Sequence, residues 1–174
     1  MLIISSDGHR GYTANVGPGT VSVLDLDSKK LVTIIPVCKT VQRIAISTDD
    51  KSVFTSDQDQ PRLAVIDTAS STVSRWITMP SEGYGAAPTP DGRWLVIALP
   101  RVNQAAVIDL QSMEVSHTIS LPKAPQEVLI RPDGGEAYVS CDASEKVAVI
   151  DTANWTVKKL IDAGKGADGL AWAK

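Results

Sequence analysis

A short apolar segment that ends in aspartate occurs four times along the chain at a constant spacing. The four copies read VSVLD, LAVID, AAVID and VAVID, and they end 42 residues apart at Asp25, Asp67, Asp109 and Asp151. A second marker keeps this period, because the turn sequences SDG, TDD, PDG and PDG place further aspartates at positions 7, 49, 91 and 133. Two independent markers that stay in phase indicate four copies of one structural unit.

Each unit carries the signals of four short β-strands joined by turns. In the last complete unit the strands read QEVLIR, EAYVSC, KVAVID and TVKKLIDAG, with the turn PDGG between the first two. The third strand is apolar on both faces, so the sheet must be covered on both sides. A radial stack of four-stranded sheets, the β-propeller, provides that cover with blades of about 40–50 residues. The closing aspartates are predicted to be turn residues whose side chains accept hydrogen bonds from nearby backbone amides.

We therefore predict an all-β protein: a β-propeller made of four-stranded antiparallel blades, with about four blades and one extra inner strand. The predicted repeat units cover approximately residues 1-41, 42-83, 84-125 and 126-167 of a single propeller or part-propeller, and the extra inner strand covers 168-173. The first unit begins with a shortened inner strand, MLIIS, which suggests a truncated start. Three arrangements are considered. The chain is part of a larger ring of about seven blades, two copies pair into a ring of about eight, or residues 168-173 replace the first strand and close a ring of about four.

The composition is typical of a globular protein and excludes several classes. With 43% apolar and 21% charged residues, the chain can bury a sizeable core. Its formal net charge of −3 argues against nucleic-acid binding over the whole surface, which needs a basic excess. No segment approaches the ~20 apolar residues of a membrane-spanning helix, so no membrane span is predicted. Cys38 and Cys141 have no metal-site spacing with each other or with the two histidines, and we predict neither a metal nor a cofactor.

Residues 137–157, AYVSCDASEKVAVIDTANWTV, resemble the YVTN-type β-propeller repeat, in which a YVTN or YVAN strand precedes a TVSVIDT strand. The segments YTAN with TVSVLDL, and FTSD with LAVIDT, carry the same pattern. The third unit departs from it, because VIAL at 96–99 lacks the aromatic residue and the asparagine. The resemblance implies a larger ring, of which this chain is the C-terminal part, and favours that arrangement. It also implies an exported bacterial or archaeal protein, periplasmic or extracellular.

Function is expected where the repeat units differ, and the starts of the innermost strands differ most. At equivalent positions near the channel they carry Gln42-Arg43, Tyr84-Gly85, Gln126-Glu127 and Asp168-Gly169. The preceding loops place Lys39, Ser81, Lys123 and Lys165 at one phase of the repeat. Such a channel mouth can bind a polar ligand, and three ammonium groups attract anions. The alternative interpretation is a solvated channel with ordinary loop lysines.

We predict a non-enzymatic scaffold that binds a protein partner or a small polar ligand through the channel-mouth face, with a homodimer that completes the ring as one assembly. No catalytic residue is predicted, because no G-x-S-x-G motif occurs and His9 and His117 fall at unrelated phases of the repeat. An alternative is an enzyme domain of lactonase or quinoprotein-dehydrogenase type, for which Arg43, Glu127 and Asp168 are the motivation. A second alternative is a cell-surface structural protein, which only the YVTN resemblance supports.

Overall fold

The computed structural model describes residues 1–173, which contain sixteen strands in four four-stranded antiparallel sheets, here called blades 1 to 4. Blade 1 consists of β1 (Leu2–Ile4), β2 (Arg10–Asn15), β3 (Thr20–Asp25) and β4 (Lys30–Pro36). Blade 2 consists of β5 (Val41–Ile46), β6 (Ser52–Asp57), β7 (Arg62–Asp67) and β8 (Thr72–Thr78). Blade 3 consists of β9 (Ala86–Pro88), β10 (Trp94–Leu99), β11 (Gln104–Asp109) and β12 (Glu114–Ser120). Blade 4 consists of β13 (Pro125–Ile130), β14 (Glu136–Cys141), β15 (Lys146–Asp151) and β16 (Thr156–Asp162).

Within every blade the strands pair in chain order, so each strand is joined to its neighbour by a hairpin or a short loop. Two single-turn 3₁₀ segments, Pro100–Val102 and Asp142–Ser144, lie between the second and third strands of blades 3 and 4. No helix within residues 1–173 has the length and apolar character needed to cross a membrane. The prediction of four-stranded antiparallel blades is confirmed.

The chain divides into two compact units, each with two blades. The first unit spans Met1–Gly83 and contains blades 1 and 2, and the second begins at Tyr84 and contains blades 3 and 4. In the first unit the core lies between the blades, where Tyr12 of blade 1 shares a cluster with Val53 and Ile66 of blade 2. These three side chains are at most 4% exposed. The boundary between the units coincides with the predicted start of the third repeat.

In the second unit the core lies between blades 3 and 4. Val107 of β11 belongs to the same fully buried cluster as Val139 and Ile150 of blade 4. Ala105, Ala106, Val107 and Ile108 are all 0% exposed, although successive side chains point to opposite faces of a strand. The third strand of blade 3, β11, is therefore covered on both faces, as its apolar sequence predicts.

The repeated aspartates form the predicted turns. In each blade the Oδ1 atom of the closing aspartate accepts a hydrogen bond from a backbone amide two or three residues later. The donors are Ser28 for Asp25 at 2.8 Å, Ser70 for Asp67 at 2.7 Å, Gln111 for Asp109 at 2.8 Å and Ala153 for Asp151 at 2.9 Å. This local bond fixes the turn between the third and fourth strands and explains why one residue type recurs there.

The extra inner strand predicted at 168-173 is not assigned as a strand, because no strand in the described residues pairs with it. The segment instead contacts blade 4. The Oγ atom of Ser140 donates a hydrogen bond of 2.5 Å to the carbonyl oxygen of Asp168. The ring of Trp172 lies 6.2 Å from the ring of Tyr138. The segment thus lies against blade 4 without ladder hydrogen bonds, which define a strand.

Candidate functional site

Four of the predicted channel-mouth residues lie near the starts of the innermost strands, and Asp168 lies in the segment after β16, which forms no strand. The residues are divided between the two units. We call Arg43, Tyr84, Gln126, Glu127 and Asp168 the mouth residues. Arg43 belongs to the first unit, whereas the other four belong to the second.

In the second unit a chain of hydrogen bonds links the starts of successive repeats. The backbone amide of Gly85 donates to the carbonyl oxygen of Gln126 at 2.9 Å. The amide of Glu127 donates to Oγ of Ser140 at 3.0 Å, and this hydroxyl donates to the carbonyl of Asp168. The structure therefore brings the backbones of four predicted positions, 85, 126, 127 and 168, into one bonded frame.

Gly85 is required by the close approach of two backbones in this frame. A Cβ atom at this position would lie 2.4 Å from the carbonyl oxygen of Gln126 and 2.7 Å from Cα of Glu127. Both distances are shorter than any ordinary contact, and the partners are backbone atoms that cannot rotate away. A glycine is therefore needed between the blades at this point.

The side chains of this frame differ in exposure. Tyr84, Gln126 and Glu127 are half-buried, and Asp168 is exposed. The amide of Tyr84, two residues before β9, donates to the carbonyl of Ala98 at 2.9 Å, which ties this part of the chain to the second strand of the same blade. The result is a phenol, an amide and two carboxylates carried by a fixed backbone.

In the first unit Arg43 occupies an irregular point of β5. Its φ is +57°, and the pairing of β5 with β6 shifts register between Gln42 and Ala45. Its carbonyl oxygen accepts a hydrogen bond of 2.7 Å from Oγ1 of Thr55. One guanidinium NH group lies 3.5 Å from the sulfur of Met1. The strand therefore bulges at this predicted site residue.

The three predicted lysines are all exposed loop residues. Lys39 lies between β4 and β5, Lys123 precedes β13, and Lys165 lies in the turn after β16. The backbone amide of Lys123 donates to Oγ of Ser144 at 2.7 Å, which fixes the loop but not the ammonium group. A ring of positive charge formed by these lysines stays a prediction.

The two cysteines are free thiols. Burial, followed by the negative charge of Asp57, raises the pKa of Cys38 to about 11. Burial also raises the pKa of Cys141 to about 11. Both thiols are therefore protonated at neutral pH. Within residues 1–173 no group of three or more His, Cys, Asp or Glu side chains is placed to hold a metal ion.

Sequence reasoning missed a cavity of about 260 Å³ in the second unit. Its walls include Pro90, Asp91, Trp94, Asp133 and Gly134, which belong to the first turns of blades 3 and 4 and to the start of β10. The PDG turns are expected to be structural because they repeat. The signal that distinguishes them is a difference between repeats, since position 50 carries aspartate where positions 92 and 134 carry glycine.

Comparison with solved structures shows a β-propeller fold. Hydrazine synthase from Kuenenia stuttgartiensis matches with a TM-score of 0.87 and 23% identity, covering 91% of this chain and 47% of that chain. The β-propeller domain of Cps50 (Swd1) from Myceliophteria thermophila matches with a TM-score of 0.80 and 15% identity, covering 95% of this chain and 56% of that chain. The chain thus spans about half the length of these two structures. No protein-family model and no curated protein sequence matches it.

Proposed function

We propose that the chain is a non-enzymatic β-propeller scaffold that binds a protein partner or a small polar ligand through the mouth residues. The observation that carries this proposal is the hydrogen-bonded frame from Gly85 to Asp168 in the second unit. A frame of this kind fixes the backbone that carries these side chains before a ligand arrives. It thereby lowers the conformational entropy that binding must remove.

The side chains on the frame offer several kinds of polar contact within a short stretch of structure. Tyr84 carries a phenol that donates and accepts hydrogen bonds, Gln126 carries an amide, and Glu127 carries a carboxylate. Because they are half-buried, they present both apolar and polar surface to a partner. Such a mixture suits the recognition of a peptide better than that of a purely apolar ligand.

The proposal includes membership of the YVTN-type repeat family, supported by the YTAN, FTSD and YVSC segments and by the repeat period of 42 residues. Under this proposal the chain is an exported bacterial or archaeal protein. Its activity then depends on presenting a stable binding surface outside the cytoplasm.

Selection from a random 12-residue peptide library tests the proposal. We expect immobilised wild-type protein to enrich peptides whose affinity falls at least fivefold in the variant Glu127→Gln, since a hydrogen bond to a charged group contributes about 1.5–3 kcal/mol. The matched control is Glu114→Gln, which removes the same charge from an exposed position on β12. The proposal fails if no enriched peptide distinguishes Glu127→Gln from the control variant.

Exposed apolar side chains on blade 1 favour a second copy of the chain as the protein partner. On blade 1, the side turned away from blade 2 carries Leu2, Ile4, Leu31 and Ile34, each at least 50% exposed. One repeat later, the residue equivalent to Leu2 is only 4% exposed because that face packs against a neighbouring blade. An exposed apolar face of this type is a site for association.

Blade 4 carries the complementary face. Tyr138 and Val147, which are half-buried, repeat Tyr12 and Val21, with which blade 1 contacts blade 2. The segment 168–173 lies on part of this side, where Trp172 contacts Tyr138, so docking of a second copy requires this segment to move aside. On these grounds we propose that blade 4 of one copy docks on blade 1 of another, with the type of packing found between blades 1 and 2. Light scattering should then give twice the chain mass of 18.5 kDa.

The variant Leu31→Lys should shift this assembly to monomer, because a lysine at the contact would bury an unpaired charge. Val102→Lys is the matched control, since Val102 is exposed and belongs to blade 3, which takes no part in the proposed contact. A wild-type protein that remains monomeric at every concentration refutes the second copy as the partner. It does not affect the binding test at Glu127.

A further inference from the structure

The cavity of about 260 Å³ lies at the opposite end of the inner strands from Tyr84 and Gln126. It is bounded by the turn after β9 and the turn after β13. Pockets for drug-sized ligands have volumes of about 300–1,000 Å³, so this cavity suits a group of the size of one amino-acid side chain. It is distinct from the proposed mouth site and the inference drawn from it does not depend on that site.

Two aspartates form part of the wall and are held by their own turns. Oδ1 of Asp91 accepts hydrogen bonds from Oγ1 of Thr89 at 2.5 Å and from the amide of Arg93 at 3.0 Å. Oδ1 of Asp133 accepts from Nε of Arg131 at 2.7 Å and from the amide of Gly135 at 2.9 Å. In both residues these hydrogen bonds are made to Oδ1. These bonds lower the pKa of both carboxyl groups, so both are ionised at neutral pH.

The first unit contains the equivalent pair of turns, and there the space is filled. The carboxylate of Asp50 accepts hydrogen bonds from the backbone amide of Ser6 at 2.9 Å and 3.1 Å, and it also accepts one from the Ser6 hydroxyl. A threonine supports the turn in both units. Oγ1 of Thr68 donates to the carbonyl of Asp50 at 2.8 Å, and Oγ1 of Thr152 donates to the carbonyl of Gly134 at 2.6 Å.

The second unit has neither the serine nor the aspartate of the hydrogen-bonded pair Ser6 and Asp50. Gly134 stands at the repeat position of Asp50, and Pro90 stands at the repeat position of Ser6. Proline has no backbone N–H, and a Cβ atom on Gly134 would lie 3.4 Å from Cδ of Pro90, an ordinary contact. The cavity therefore arises where an anionic side chain and its two donors have been replaced by a glycine and an apolar ring.

The chemistry of the walls selects a cation with a flat apolar face. The ionised carboxylates of Asp91 and Asp133 attract positive charge, and Pro90 and Trp94 supply apolar surface. The guanidinium of Arg93 lies 4.8 Å from the centre of the Trp94 ring, so this ring already accepts one cation of the type proposed and offers only its remaining surface. The nearby guanidinium groups are already shared: Arg131 also contacts Oε2 of Glu136 at 2.8 Å. The charged groups joined at this end comprise four carboxylates (Asp91, Asp109, Asp133 and Glu136) and three cations (Arg93, Arg131 and Lys158). One negative charge remains in excess.

We propose that this cavity binds the guanidinium group of an arginine side chain presented by a protein partner. A guanidinium is planar, donates hydrogen bonds to carboxylates in a fork and stacks on aromatic rings, which distinguishes it from the compact ammonium group of lysine. In this proposal the N–H edge of the guanidinium faces Asp91 and Asp133, and one of its flat faces packs on Pro90 and on the part of Trp94 that Arg93 leaves uncovered.

An NMR titration of the ¹⁵N-labelled full chain tests the proposal with N-acetyl-arginine amide as the probe. We expect saturable shifts of the Trp94 indole N–H and the Gly134 amide. The neutral isostere N-acetyl-citrulline amide should bind at least fivefold more weakly, and added salt should weaken the arginine probe alone. Equal shifts with both probes, or no shift at these two groups, would overturn the proposal.

Two variants test whether the arginine probe binds in the cavity itself. The double variant Pro90→Ser/Gly134→Asp restores the pair found at Ser6 and Asp50, and it should fill the cavity and weaken the arginine probe at least tenfold. The positive φ of Gly134, +77°, is compatible with this change, because Asp50 itself has a φ of +59°. Asp91→Asn retains a turn acceptor and should weaken the probe about threefold by removing charge. The proposal is wrong if folded samples of both variants bind the arginine probe as the wild type does.

Discussion

The substitution Gly85→Ala is the sharpest test of how the mouth frame is built. The new methyl group would be forced to 2.4 Å from the carbonyl oxygen of Gln126 and 2.7 Å from Cα of Glu127. The two inner strands must then separate. The hydrogen bond from the Gly85 amide to Gln126, 2.9 Å long in the wild type, must lengthen or break.

Three contributions determine how much Gly85→Ala lowers the free energy of unfolding. Overpacking a buried site costs about 1–3 kcal/mol, and a lost backbone hydrogen bond costs about 1 kcal/mol. Alanine offsets about 0.4–1 kcal/mol by restricting the unfolded chain. The net destabilisation is therefore about 2–3 kcal/mol, which corresponds to a fall of about 1 M in the urea midpoint for an m-value near 2 kcal/mol/M.

Urea unfolding followed by tryptophan fluorescence measures this effect. Gly17→Ala is the control, because a Cβ atom at Gly17 would meet nothing within 4 Å, and its stability should stay within about 0.5 kcal/mol of the wild type. If Gly85→Ala unfolds at the same urea concentration as Gly17→Ala, the inference that the backbones at Gly85 and Gln126 leave no room for a Cβ atom is wrong.

Three further predictions concern the turns, a buried ion pair and the thiols. Because the amide of Ser70 holds the pKa of Asp67 below its unfolded value, this bond stabilises the fold above about pH 4 and is lost as the pH falls through the folded-state pKa. Asp67→Ala should lower the urea midpoint at pH 7, and the difference from the wild type should shrink as the pH falls below about 4. The side chain of Asp57 is 1% exposed and lies 2.8 Å from the guanidinium of Arg62. Arg62→Met removes this cation and should lower the free energy of unfolding by about 2–3 kcal/mol, which calorimetry should detect as a fall in Tm of about 5–10 °C. Cys38 and Cys141, with their pKa values raised to about 11, should react with a disulfide reagent at pH 8 at least tenfold more slowly in the folded protein than in urea; equal rates would contradict their burial.

The parts of the fold that sequence reasoning predicts are those fixed by local contacts. Asp109, for example, closes its turn through the amide of Gln111, only two positions away, and the same bond recurs every 42 residues. Strand alternation and burial on both faces follow from the apolar third strand. The bulge at Arg43 is different, because nothing in VQRIAI distinguishes the residue that adopts a φ of +57°.

For the candidate sites too, sequence reasoning predicts the parts that follow from the repeat and misses the part that depends on a long-range contact. Repeat phase places Gln126 and Glu127 beside Gly85, because all three begin an inner strand. The cavity at Gly134 could not be predicted, because its counterpart in the first unit is filled by a contact between residues 44 positions apart, Ser6 and Asp50. The sequence shows that glycine at 134 replaces the aspartate of position 50, but the cavity that results becomes visible only when the structures of the two turns are compared.

The most direct test of the proposed function is to map a selected peptide on the ¹⁵N-labelled chain by NMR. The account predicts that the perturbed amides cluster at Tyr84, Gly85, Gln126, Glu127 and Asp168. It also predicts that Glu127→Gln weakens the peptide at least fivefold while Glu114→Gln does not. Perturbations confined to the outer strands, with equal affinity for both variants, would contradict the claim that this protein binds its partner through the starts of its inner strands.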